Sequence, residues 1–112
     1  MAARGIFESL VSDDGSLAGV FEDDKILAYF YLCEVGDDEG GRILDHIHIY
    51  SGDSGLHESE VTLRWDGHGK KVGLFIRGEL WAYFDCVTRQ KCGGKYTKGA
   101  IPEISRPASF SN

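Results

Sequence analysis

The sequence predicts an all-β domain: a small antiparallel barrel or sandwich of seven or eight strands, made of two similar meander repeats. Three observations carry this. The 112 residues include 15 glycines and only 2 prolines, a composition of many tight turns and many short strands. Runs rich in Val, Ile, Phe, Tyr and Leu are separated by Asp and Gly along most of the chain. Residues 19–33, GVFEDDKILAYFYLC, also align without a gap on residues 73–87, GLFIRGELWAYFDCV. Gly19 then meets Gly73, Phe21 meets Phe75, and Ala28-Tyr29-Phe30 meets Ala82-Tyr83-Phe84. A meander of three or four strands cannot cover its own apolar face, and a second copy can.

In chain order, strands are expected at 6–11, 17–22, 25–34, 42–50, 59–65, 70–77, 79–87 and, more weakly, 95–101. In the first, Ile6, Phe7, Leu10 and Val11 also fit a short helical stripe, but the aligned residues 62–64 favour a strand. Asp23-Asp24 and Arg77-Gly78 read as two-residue hairpin turns. They would pair Glu22 with Lys25, Phe21 with Ile26 and Gly19 with Ala28, and, in the second copy, Ile76 with Glu79, Phe75 with Leu80 and Gly73 with Ala82. Repeat 1 covers about 6–50 and repeat 2 about 59–101, within one domain, 1–104, followed by a flexible tail at 105–112.

Alternation places Phe21, Ile26, Ala28, Phe30 and Leu32 on one face of the first hairpin, and Phe75, Leu80, Ala82 and Phe84 on one face of the second. The opposite faces carry Val20, Leu27, Tyr29 and Tyr31, and Leu74, Ile76, Trp81 and Tyr83. A sheet with one wet face alternates apolar with polar. Here both faces are apolar, so each needs a cover. Tyr29, Tyr31, Trp81 and Tyr83 are therefore the candidate binding or interface residues. They would be covered by the chain's own ends, by a second copy in a homodimer, or by an unknown protein or small-molecule partner.

The best chemical signal is DHIHIYSGDSGLHE, residues 45–58. On a strand His46 and His48 share a face, and two imidazoles there can ligate one divalent transition metal, with His57, Glu58 or Asp53 completing the set. The segment resembles part of the cupin pattern: Gly40, five residues, then His46 and His48, with Asp53 near the place of the following Glu. The second cupin motif has no counterpart. That resemblance implies a metal-binding small-molecule enzyme or sensor. It stands as the alternative to a non-enzymatic binding or self-associating domain, beside a barrel holding an apolar ligand. The simpler reading puts both histidines on the solvent side of an amphipathic strand, needing no cofactor.

Other chemistry is excluded or weak. No nucleotide-binding glycine loop and no GxSxG elbow is present. Cys33, Cys86 and Cys92 are odd in number and irregularly spaced, which suits reduced thiols. The acidic stretches 13–15 and 37–41 lack EF-hand spacing. The net charge of −6 disfavours nucleic-acid binding, although residues 88–98 hold four bases and no acid. Residues 1–56 carry 12 acids and 3 bases, and residues 57–112 carry 6 acids and 9 bases, so the halves have opposite signs. No apolar run approaches the roughly 20 residues of a membrane span. Glu8 interrupts any signal-peptide core, so a cytoplasmic location is expected.

Overall fold

The computed structural model describes residues 5–36, 41–97, 100 and 102–110. Most of the acidic stretch 37–41 lies outside that set. The fold is all-β, with eight strands in two antiparallel four-stranded sheets. Sheet A is the meander β1 (Ile6–Val11), β2 (Leu17–Asp23), β3 (Leu27–Glu34) and β4 (Arg42–Ser51). Sheet B repeats that order with β5 (Val61–Trp65), β6 (Lys71–Ile76), β7 (Glu79–Asp85) and β8 (Gln90–Gly93). β1 lies against β5, and β4 approaches β7 and β8. Each ladder stays within its own sheet, so the arrangement is a sandwich and the barrel is not closed. No helix among the described residues is long and apolar enough to cross a membrane.

The core sits between the sheets. Phe21, Phe30, Ile49, Val72, Leu74 and Phe84 are fully buried there, and the Phe30 and Phe84 rings meet at 5.0 Å. Burying each such ring contributes roughly 2–3 kcal/mol. One cross-link ties the first edge strands together: Trp65 Nε1 donates to the Leu10 carbonyl at 2.9 Å.

The first hairpin differs from expectation. Asp23 pairs with Ala28 and Phe21 with Phe30, so the turn moves two residues on, to Lys25-Ile26, with Asp24 N–H donating to the Leu27 carbonyl at 3.1 Å. Asp chemistry explains it. The Asp24 carboxylate accepts from the N–H groups of Ile26 and Leu27, and the Asp23 carboxylate accepts from that of Lys25. Lys25 takes a left-handed φ of 76°. The register moves by an even number of residues, so Phe21, Ala28, Phe30 and Leu32 still face the core. Ile26 does not, and sits in the turn 70% exposed.

The second hairpin turns on Arg77-Gly78, both at positive φ, and pairs Ile76 with Glu79 and Phe75 with Leu80 as expected. Beyond that point Leu74 pairs with Ala82 and Gly73 with Tyr83, leaving Trp81 as an extra residue in a bulge. The insertion changes the faces. Val72, Leu74, Ile76, Ala82 and Phe84 turn to the main core, and Phe75 and Leu80 turn outward. The expected face of Phe75, Leu80, Ala82 and Phe84 is thus split in two.

The eighth strand is β8 at Gln90–Gly93; of the strand expected at 95–101, the described residues make a single bridge, Tyr96 with Tyr50, and residues 98, 99 and 101 lie outside the described set. Asp85 makes the chain turn early. Its carboxylate accepts from the N–H groups of Val87 and Thr88, its carbonyl accepts from the N–H of Arg89, and Arg89 has φ 65°. After β8 the chain crosses to sheet A. Gly93 and Gly94, at φ 100° and 106°, bring it beside β4. There Lys95 N–H donates to the His48 carbonyl at 2.7 Å and Tyr96 N–H to the Ile49 carbonyl at 2.8 Å. A Cβ on Gly94 would stand 2.7 Å from that same His48 carbonyl oxygen.

Residues 105–112 are expected from sequence as a flexible tail. Within the described part, Ala108–Phe110 form a 3-10 turn and Phe110 is 1% exposed, packed with Phe75, Leu80, Tyr83 and Ile104 on the outer face of sheet B. Arg64 Nη2 and Arg106 Nη2 both donate to the Phe110 carbonyl, at 3.1 and 3.0 Å. Both guanidinium groups also lie 5.2 Å from the centroid of the Phe75 ring.

Candidate functional site

The four aromatic residues singled out from the sequence fall in three places. Tyr83 lies against Phe110 at 6.3 Å, under the C-terminal segment. Its phenol is pushed up to about 12, first by the hydrogen bond with Cys92 and then by burial. Trp81, the bulged residue, turns towards Tyr50 and Tyr96. Only Tyr29 and Tyr31 stay together, stacked at 5.8 Å on the outer face of sheet A.

That face is built by the register of four strands. Phe7, Glu22, Tyr29 and His48 form one rung; Ser9, Val20, Tyr31 and His46 the next; Val11, Ala18, Cys33 and Ile43 the third. Bulges at Ile49 and Leu44 on β4 keep the two histidines in line with the two tyrosines. Tyr29 lies 5.8 Å from His46 and 5.1 Å from His48. The predicted HxH pair therefore sits on a common face, inside an aromatic patch. Phe7 is 61% exposed, Ile43 57% and Val11 49%. Glu22 is the one carboxylate in the three rungs. The Tyr31 phenol is pushed up, first by burial and then by Glu22. Burial also pushes up the Cys33 thiol, which disfavours thiolate chemistry there.

As metal ligands the histidines gain no third partner among the described residues. His48 Nε2 meets Ser51 Oγ at 3.1 Å. His57 precedes the 3-10 turn Glu58–Glu60, where its N–H donates to the Glu60 carboxylate at 2.9 Å. Asp53 accepts from Gly55 N–H at 2.9 Å and lies 3.7 Å from Lys25 Nζ. Among the described residues no three His, Cys, Asp or Glu side chains gather into a metal-holding group.

A second feature was not visible in sequence. A cavity of about 520 Å³ opens where the loop after β4, the second hairpin turn and the crossover segment meet, lined by Tyr50, Ser54, Leu56, Arg77, Trp81 and Tyr96 among others. Behind Tyr50 lies Asp23, fully buried. The Tyr50 hydroxyl donates to Asp23 Oδ2 at 2.6 Å, and Ser54 Oγ stands 3.2 Å from that hydroxyl. Burial first, and the bond to Asp23 second, drive the Tyr50 phenol far above its ordinary range. These residues come from separate segments whose local signals are ordinary strand and turn signals. Only Asp23 carries a clue, as an acid at the end of an apolar run, and a turn role explains it equally well.

A family model described as an uncharacterized protein conserved in bacteria (DUF2251) matches residues 3–110, and the chain belongs to that family. No curated protein and no solved structure matches it.

Proposed function

We propose that this DUF2251 member is a non-enzymatic binding domain that self-associates through the outer face of sheet A. The observation that carries the reading is the contrast between two similar sheets. Sheet B's outer face is covered by the chain's own residues 104–110, whereas on sheet A Phe7, Val11 and Ile43 stand open beside Tyr29, Tyr31 and His46. An apolar patch spread over four strands costs solubility unless something covers it. A second copy fits because the patch carries a single carboxylate. Tyr and His add polar tips suited to an interface. Trp81 and Tyr83, grouped with Tyr29 and Tyr31 on sequence grounds, take no part.

Sedimentation velocity over a range of micromolar concentrations tests this. The expected wild-type species has twice the 12.4 kDa mass of the chain. Tyr31→Glu, placed in the middle rung, returns it to the monomer with an unchanged far-UV spectrum. A wild type that stays monomeric throughout removes the reading.

We also read the two sheets as products of duplication. Ala28-Tyr29-Phe30 and Ala82-Tyr83-Phe84 occupy like positions: Ala and Phe inward, Tyr outward. The other arm supports copies that have drifted. The pairing partner of Ala28 is Asp23 and that of Ala82 is Leu74, so Phe21 corresponds to Val72 and not to Phe75.

A further inference from the structure

We propose that the cavity beside Tyr50 binds a small organic cation of the quaternary-ammonium type. The proposal is independent of self-association, since no residue of the three sheet-A rungs lines the cavity. About 520 Å³ suits a small molecule.

Three aromatic rings form its corner. Trp81 stands steeply to both neighbours, at 4.9 Å and 65° to Tyr96 and at 6.5 Å and 78° to Tyr50. Such walls offer π faces in more than one direction, the arrangement that attracts a bulky cation. Tyr96 is fixed in place by its hydroxyl, which donates to the Trp81 carbonyl at 2.8 Å.

The charge balance selects the sign of the ligand. Among the described residues Asp23 accepts from neutral donors: Lys25 N–H at 2.8 Å, Tyr50 O–H at 2.6 Å and Ser54 O–H at 3.5 Å. No cationic side chain reaches ion-pair distance of it among the described residues. A buried carboxylate without a counter-charge is costly. A cation in the cavity, whose lining includes the Tyr50 and Ser54 side chains bonded to Asp23, would offset it. By donating a hydrogen bond to Asp23, Tyr50 also becomes a richer π donor. Arg77, in the lining, is already engaged, its Nε with Glu60 at 2.6 Å, and Asp53 of the lining lies 3.7 Å from Lys25. Among the described residues, Asp53 and Arg77 line the cavity and cancel, and their partners Lys25 and Glu60 cancel in turn, so buried Asp23 is the one unbalanced charge of this group. An organic anion recruited by Arg77 would have to displace Glu60 and face that charge.

Calorimetry and tryptophan fluorescence with choline, its neutral isostere 3,3-dimethyl-1-butanol, and benzoate test the proposal on the intact chain. Choline is expected to saturate at millimolar concentration or below, and the neutral alcohol to bind at least about tenfold more weakly. Asp23→Asn should lower choline affinity about tenfold while leaving the weak affinity for the alcohol unchanged. Should that variant fail to fold, the wild-type comparison of choline with its isostere decides alone. Equal binding of the two, tighter binding of benzoate, or no saturable binding of choline overturns the proposal.

Discussion

Asp66 is a single side chain that makes a turn. It closes the loop between β5 and β6, accepting from the N–H groups of Lys70 and Lys71 at 2.8 and 3.2 Å, while its own N–H donates to the Lys71 carbonyl. Burial pushes this carboxyl up. The two amide bonds, the Ser109 hydroxyl and the Lys71 charge outweigh burial and hold it below the ordinary carboxylate value. Its stabilising contribution is therefore complete at neutral pH and fades as pH falls from about 4 through the lowered folded value. Asp66→Asn should cost about 1–2 kcal/mol at pH 7. Thermal melts between pH 7 and pH 3 should show a shallower acid dependence than in the wild type. Some dependence should remain, because Asp14, Asp24, Asp53, Glu60 and Asp85 are also held low by turn hydrogen bonds or nearby bases. Asp14, Asp53 and Asp66 each adjoin a glycine and were legible as turn formers, whereas Glu60 and Asp85 have no such neighbour. Trp81 was not legible as a bulge, because its own strand pattern is unbroken and the extra residue shows only against β6.

At the scale of elements, strand positions could be read from alternation and registers only in part. Seven of the eight segments lie where the β-forming runs lie, since alternation is a property of each segment alone. Register depends on turn geometry. Asx bonding at Asp23 and Asp24 moved the first turn two residues on from where the sequence suggested, whereas glycine at position 78 fixed the second turn as expected. The C-terminal segment escaped because Phe110 is one aromatic among polar residues, and a lone ring carries no period. Its packing implies a real contribution. Phe110→Ala should destabilise the domain by about 3 kcal/mol, by analogy with other buried Phe→Ala changes. Urea denaturation gives the value, and a loss below about 1 kcal/mol would mean that the segment adds little to the fold.

Over the whole molecule, the two halves of the chain carry opposite net charge. Among the described residues one ion pair crosses between them, Lys91 Nζ with Asp45 at 2.8 Å, and the same ammonium also donates to the His46 carbonyl. It is partly exposed, so Lys91→Ala should cost less than about 1 kcal/mol, read from denaturation at low and high salt. The halves are held by Phe30, Phe84 and the rest of the shared core. That core was legible, because the matched AYF triplets place both rings inward. The cavity was not, because it exists only where three distant loops converge. The crossover at Gly93-Gly94 has a consequence for the entire sandwich. The last segment of the second meander is sewn by its main chain to the final strand of the first. The sheets are thus stapled along that margin and cannot part like the covers of a book, so neither meander could be shed or swapped without unpicking the other.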